Sequence, residues 1–458
     1  MLCWLQQSLR AYDNPVIDAA INLANDMDLP VVVYHGVRQD YPHASNRLHY
    51  FLLGGSKDLQ LGCEKRGLRC VSYIQTPDNL IKGLVYKLAT DATAVFVEDH
   101  PTFVASWQSI SFSRKSDRCV IAVDAARLVP TRVLPAGLNT TPAFRAVNKV
   151  LREEYANVER DLRPKVPKYN DNLGFENTDL RLSDDAGLLD LISQCEIDHT
   201  VWQCPQFPPE RDEALTRMAR FISDDLPRYK WTRNNPATDG SGSKLSPYLH
   251  FGLLGPRELY EAVQAADVHS AAKWKFLDEA ITWREWFHYQ AAHNDQFEVF
   301  DGLPERAKTT LIDHAADERA ELFDLNDLLH GRTSDPVWNA AQKQWLTTGY
   351  MHNNLRMYWG KKLIAWTRNP VDAWNTACYI NDRLSLDGRD PATYGNMQWC
   401  FGKAKPVYRE INVYGLVAPK SSAALLKRDG VRDWIDEMNS LTVPDISVPN
   451  YIVDPVKF

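Results

Sequence analysis

Near the N-terminus the apolar residues gather into short runs, VVVYH at 31–35, AVFV at 94–97 and VIAV at 120–123, each bounded by polar residues and too short for a helix. Such runs read as buried strands. Residues 15–27 and 47–66 carry apolar side chains at three- and four-residue intervals, the spacing of one helix face. Strands alternating with helices imply a parallel sheet covered on both faces, so residues 1–145 are expected to form a doubly wound, Rossmann-like α/β domain. No GxGxxG follows a first strand, and the dinucleotide fingerprint is absent.

Further along, the pattern changes. The stretch LRPKVPKYNDNLGFEN at 162–177 is polar and punctuated by proline, and 204–210 adds three more prolines, which places a linker at 146–205. From 206 to 458 the strand signals fade and helical patterns follow one another, at 211–222, 255–266, 272–293, 337–348 and 351–366. The second domain is therefore expected to be mainly α-helical.

Composition narrows the class. With 44% hydrophobic and 24% charged residues the chain is ordinary for a globular protein, and no apolar run is long enough to span a bilayer. The N-terminus lacks a signal-type apolar core. A monomeric cytoplasmic protein follows as the expectation, with access to the nucleoid in a bacterial or archaeal cell. The eight cysteines form no CxxC and no Cys/His ligand spacing, so no metal site is assigned and most are expected to be buried thiols. A net charge of -7 argues against non-specific coating of nucleic acid. A local basic run, Lys403, Lys405, Arg409, Lys420, Lys427 and Arg428, is a candidate phosphate-facing surface or a solvated face.

Four constellations carry candidate chemistry. Loop 240–252, GSGSKLSPYLHFG, offers amides and hydroxyls to phosphate oxygens but fails the Walker pattern; an ordinary capping turn is its structural alternative. Glu279 and Trp283, four apart on one helix face, set a carboxyl group beside an aromatic plane, which suits a flat heterocycle. Segment 381–399 reads as too polar for a core element, so its groups are expected to face a site, with Asp387 pairing to Arg356. Trp338, Trp359 and Trp366 lie in 335–400 with no nucleophile or metal motif nearby, a pattern that suggests electron movement. Trp359 and Trp366, seven apart on one helix, are separated by roughly 10 Å along its axis. Core packing is the alternative use of the same tryptophans.

Read together, LSPYLHFG (245–252), DPVWNAAQ (335–342), TGYMHNNLRMYWGKK (348–362) and INDRLSLDGRDP (380–391) resemble the class II cyclobutane pyrimidine dimer photolyases of the photolyase/cryptochrome family. The resemblance covers most of the C-terminal half; the N-terminal half is similar mainly in layout and around Asp13-Asn14. It implies a FAD in the helical domain, fully reduced when active, and a light-harvesting chromophore of deazaflavin or folate type in the α/β domain, left unassigned. By position, Tyr229, Ser243, Leu245 and Ser246 match the FAD phosphate and ribose contacts. Asn381 matches the asparagine beside flavin N5, and Arg356 with Asp387 the ion pair that adjusts to flavin charge. Trp359, Trp338 and Trp366 match, outward in that order, the photoreduction chain. Arg233, Glu279, Trp283, Met357 and Trp399 match contacts to a flipped pyrimidine dimer in UV-damaged DNA, with Glu279 stabilising its radical anion.

The implied activity is light-driven DNA repair by a carbon-carbon lyase; the alternative is a cryptochrome-like photoreceptor signalling to a protein partner. Three departures stand out. KAKPVYRE at 403–410 lacks the family's second tryptophan, leaving Tyr408; YGLVAPKSS at 414–422 differs from the usual pattern; and Gln6-Gln7 replace charged residues.

Overall fold

The computed structural model describes residues 1–449 and 452. The N-terminal half is built on five parallel strands, β1 (Leu2–Leu5), β2 (Val32–Val37), β3 (Arg69–Ile74), β4 (Ala94–Glu98) and β5 (Cys119–Val123), in the order β3-β2-β1-β4-β5. Crossover helices α1 (Pro15–Asp26), α2 (Asn46–Lys65), α3 (Leu84–Ala89) and α4 (Phe103–Lys115) cover its faces. α1 shows how the sequence starts such a helix. The Asn14 side chain accepts from the Val16 and Ile17 amides, Pro15 takes a position that needs no donor, and Ile17, Ala20, Ile21 and Ala24 turn one apolar face to the sheet. The expected strands and helices of this half are present within a few residues. Two strands lay outside the expectation: β1 starts right after Met1, and β3 (RCVSYI) mixes Arg and Ser into its apolar positions.

The C-terminal half is helical. The continuous helix expected over 272–293 is instead Ser270–Leu277, a wide π-helical turn Asp278–Trp283, and Arg284–Ala292. Two more π-helical turns, Phe221–Asp225 and Trp399–Lys403, follow other helices. Such turns are often found at functional sites.

Buried arginines join the halves. Arg47 of α2 donates to the carbonyls of Leu384 (2.6 Å) and Leu346 (2.5 Å), near the C-terminal ends of two helices where amides to satisfy them run out, and to Trp345 O (3.2 Å), which also accepts the Gly349 amide. Arg10 donates to Gly252 O at 2.9 Å and Ala125 O at 3.0 Å. Gly252 has φ +66°, and a Cβ there would stand 2.4 Å from Ser8 Cα, so only glycine allows this approach of the two halves.

Two expectations are corrected, the first in part. Segment 381–399 is core on one side, where Asn381, Asp382, Ser385, Arg389 and Gln398 are buried, while Asp387, Asp390, Thr393, Asn396 and Trp399 face a cavity, as expected of its polar groups. Apart from Asn381 Oδ1 and Trp399 Nε1, its buried polar groups satisfy one another and the surrounding backbone. The Tyr394 hydroxyl donates to Asp382 at 2.8 Å, Arg389 donates to the Ser385 and Leu386 carbonyls, and Gln398 donates to Phe297 O. The basic C-terminal run is not one surface either. Lys403 turns inward to Gln290 and Gln398, and Lys420 to Asn354, leaving Lys405, Arg409, Lys427 and Arg428 exposed. Six of the eight cysteines are buried; Cys119 is exposed on the edge strand.

Candidate functional site

A cavity of about 700 Å³ opens into the helical half, within the size range of small-molecule and cofactor sites. Tyr229, Ser243, Ser246, Arg356, Asp387, Arg233, Glu279, Trp283, Met357 and Trp399 all line it, drawn together from segments up to 170 residues apart. Leu245 and Asn381 are fully buried and do not line it. Gly240, at the head of the serine-rich loop, has φ +71°, a conformation that favours glycine, and a Cβ there would fall 1.9 Å from the Asp225 carboxylate, which would have to move.

The Arg356–Asp387 pair closes one side. Arg356 Nη2 stands 3.0 Å from Asp387 Oδ1, which also accepts from the Ser385 hydroxyl at 2.5 Å. Burial pushes the Asp387 carboxyl up, but the Arg356 charge and the Ser246 and Ser385 hydroxyls outweigh it and hold the group below its ordinary range. Arg356 Nε and Asn381 Oδ1 are buried without a hydrogen-bond partner, and the Asn381 amide donates to Ala377 O at 3.0 Å. Each unpaired buried polar atom costs about 1–3 kcal/mol. Such orphaned groups at and behind the wall of a polar cavity, with serine hydroxyls and cationic side chains around it, fit an anionic, heteroaromatic cofactor such as FAD.

On another side, Glu279 bridges Lys275 (2.5 Å) and Arg233 (3.1 Å). The Trp283 and Trp399 rings meet edge to face, centroids 5.3 Å apart. Both sit on or beside π-helical turns, whose extra residue shifts the phase of the helix at Asp278–Trp283 and Trp399–Lys403. An acid, two cations and two indoles thus share one cavity. Tyr408, the aromatic left where a second tryptophan was expected, is 96% exposed and does not line it.

The three tryptophans form a continuous row. Trp338, on the helix Pro336–Thr348, reaches between Trp359 and Trp366 on the helix Asn353–Trp366. Its ring stacks on Trp359 at 5.6 Å with planes 10° apart and meets Trp366 edge-on at 5.4 Å. Trp338 and Trp359 are wholly buried; Trp366 is 4% exposed. Lys362 Nζ lies 5.0 Å over the Trp366 ring.

The sequence reading missed several members of this neighbourhood. Trp345 packs edge to face on Trp359 at 5.1 Å and receives the Arg356 guanidinium at 5.2 Å, so it connects the ion pair to the tryptophan row. Its spacing from Trp338 along one helix was the available signal. Asp390 caps the helix Pro391–Gln398 and gathers Arg284 (3.2 Å), His250 (3.4 Å) and His288 (3.5 Å). Donor atoms of His100, His288 and Asp390 lie within 4.8 Å of one another, but a cation there would face the guanidinium of Arg284.

Comparison with known proteins agrees with this architecture. Residues 1–165 match the family described as DNA photolyase, and residues 276–456 match the FAD binding domain of DNA photolyase. An α/β half joined to a helical FAD-binding domain defines a photolyase-type flavoprotein. The chain is 30% identical to the deoxyribodipyrimidine photo-lyase of Methanothermobacter thermautotrophicus, over 96% of this chain and 94% of that one. It is also 30% identical to that of Potorous tridactylus, over 94% and 80%. A Synechocystis cryptochrome superposes with TM-score 0.69 at 18% identity, covering 97% of this chain and 90% of that one. An archaeal photolyase from Sulfolobus tokodaii with two FAD molecules superposes with TM-score 0.65 at 17% identity, over 100% and 97%. The chain belongs to the DNA photolyase family and is a photolyase-type enzyme. No helix among the described residues is long and apolar enough to cross a membrane.

Proposed function

We propose that this enzyme splits cyclobutane pyrimidine dimers in UV-damaged DNA, in the manner of the class II photolyases. The observation that carries the reading is that one cavity holds both the Arg356–Asp387 pair, with the tryptophan row behind it, and the Glu279, Trp283 and Trp399 group.

Tyr229, Ser243 and Ser246 would hold the phosphate and ribose part of FAD; Arg356 and Asp387 would face its ring system, with Asn381 behind that wall. Bound and fully reduced, FAD supplies on illumination the single electron that opens a cyclobutane ring and then recovers it. The chain's own residues do the rest. Trp283 and Trp399 wall a slot for stacked bases, and Trp399 Nε1, buried and unpaired, has a hydrogen bond to give. Glu279 would hydrogen-bond the lesion's polar edge, and Arg233 with Lys275 would bring positive charge to phosphate and to the developing anion. Excluding water and fixing orientation complete the contribution. Trp359, Trp338 and Trp366 would recharge an oxidised cofactor.

The α/β half has a second cavity of about 850 Å³ along β1, β2 and β3, lined among others by Trp4, Tyr34, Tyr73, Lys82 and Trp107. A light-harvesting chromophore of deazaflavin or folate type would sit there. Gln6 and Gln7 are engaged elsewhere, with Ser109 and His250.

The deciding test is illumination of reduced enzyme with a thymine-dimer oligonucleotide. Recovery of ultraviolet base absorbance is expected. Failure to recover, with flavin bound and reduced, would favour the second reading, a cryptochrome-like photoreceptor. The exposed Tyr408, which leaves the aromatic wall one residue short, is the feature that favours it.

A further inference from the structure

Gln342 is wholly buried on the same helix as Trp338. Its Oε1 accepts the Trp359 indole N–H at 2.9 Å, while its Nε2 donates to Leu329 O at 3.0 Å. The second bond fixes the amide, so its oxygen must face the indole. The Trp338 indole N–H donates to the backbone oxygen of Trp359 at 3.1 Å. Both inner indoles therefore give their protons to amide oxygens, which are very weak bases. The carboxylate at the head of the helix, Asp335, is engaged by the Tyr358 hydroxyl, the Val337 and Trp338 amides and Lys362.

An oxidised indole is a far stronger acid than indole itself. Beside a base it would lose its N–H proton and become a neutral radical, and the charge that drives the next electron to it would be gone. We infer that Gln342 is a positioning residue of the tryptophan chain: its amide oxygen holds the Trp359 N–H without taking the proton, so oxidised Trp359 stays cationic and is refilled from Trp338. The inference rests on the electron-chain reading above. In balance, Trp359 gives one electron to the photoexcited oxidised flavin, the only oxidant required; Trp338 refills Trp359, and Trp366 refills Trp338. One proton leaves, from the Trp366 N–H to solvent, at the only one of the three rings that reaches it.

The test compares Gln342→His with Gln342→Met in the flavin-loaded protein by transient absorption, which distinguishes cationic from neutral tryptophan radicals. Neutral imidazole can accept the indole N–H as the amide oxygen does, but is a base. The His variant is expected to form a neutral radical early, more slowly in deuterated buffer, and to lower the photoreduction yield about ten-fold. The Met variant, which offers neither a base nor an amide acceptor, should lose some yield through the unheld indole but still show only the cationic radical. Equal losses in both variants without a neutral radical, or no loss in the His variant, would overturn the inference. Independently of how these variants fold, Trp366→Phe in the otherwise native chain should show only a cationic radical that decays by electron return; a neutral radical there also overturns it. Undiminished photoreduction in Trp359→Phe would instead remove the electron chain itself.

Discussion

Trp338 sits between Trp359 and Trp366, stacked on the first at 5.6 Å and edge-on to the second at 5.4 Å, although it belongs to a different helix from both. Two turns of helix separate Trp359 from Trp366, roughly 10 Å of rise. The ring of Trp338 fills that gap, so the row has van der Waals contact throughout and leads from the buried interior to the one ring that reaches solvent.

Interrupting this row should stop light-driven flavin reduction while leaving repair by chemically reduced enzyme intact. Trp338→Phe and Trp359→Phe are each expected to slow photoreduction about ten-fold or more, followed as bleaching of the oxidised flavin band under blue light. Phenylalanine is the appropriate replacement, because Trp→Ala at a fully buried site costs about 3–5 kcal/mol and would confound the result with unfolding.

Asp387→Asn should weaken cofactor retention and the fold together. It leaves the buried Arg356 guanidinium with no carboxylate, a change that typically costs about 3–5 kcal/mol. The pH dependence has a definite sign. The Asp387 carboxyl is held below its ordinary value in the folded state, so its contribution is present above the unfolded carboxylate range and is lost as pH falls through the lower folded value. Acid titration followed by flavin release should therefore show a step in the native enzyme that Asp387→Asn lacks.

Glu298 should impose the opposite dependence. Its Oε2 is buried without a partner, and burial, with the Asp382 charge adding to it, pushes the carboxyl from 4.5 up to about 8. The folded protein then binds the proton more tightly than the unfolded chain, so stability from the neutral carboxyl is complete below the unfolded value and is lost as pH rises through about 8. Thermal unfolding of Glu298→Gln at pH 5 and pH 9 should show the variant gaining on the native protein at the higher pH. A parallel pair of curves would show that Glu298 ionises normally.

Glu279→Gln should separate lesion chemistry from DNA binding. The amide keeps the size and one acceptor but removes the charge that pairs with Arg233 and Lys275. Repair yield per absorbed photon is expected to fall about ten-fold, with little change in the affinity for dimer-containing oligonucleotide in the dark. Equal loss of both would assign Glu279 to docking alone.

What was legible in the sequence was local. Apolar runs marked three of the five strands, and three- and four-residue spacing marked α1, α2 and the helix Asn353–Trp366, because backbone periodicity and the burial of one face are written into neighbouring residues. β3 escaped because Arg69 and Ser72 break its apolar run; the Arg69 side chain finds partners in the backbone of Tyr169 and Asp171, and the Ser72 backbone amide donates to the Asn177 side chain. Ten expected site residues converge on one cavity, while Leu245 and Asn381 stay behind its wall. Only the tertiary structure decided which polar groups of 381–399 are core and which face the cavity, that Glu279 faces Arg233 from another segment, and that Trp338 bridges two tryptophans of a neighbouring helix. The reason is physical. Whether a polar group is buried at tolerable cost, or two rings touch, depends on partners that the fold brings from distant parts of the chain, and no local pattern encodes them.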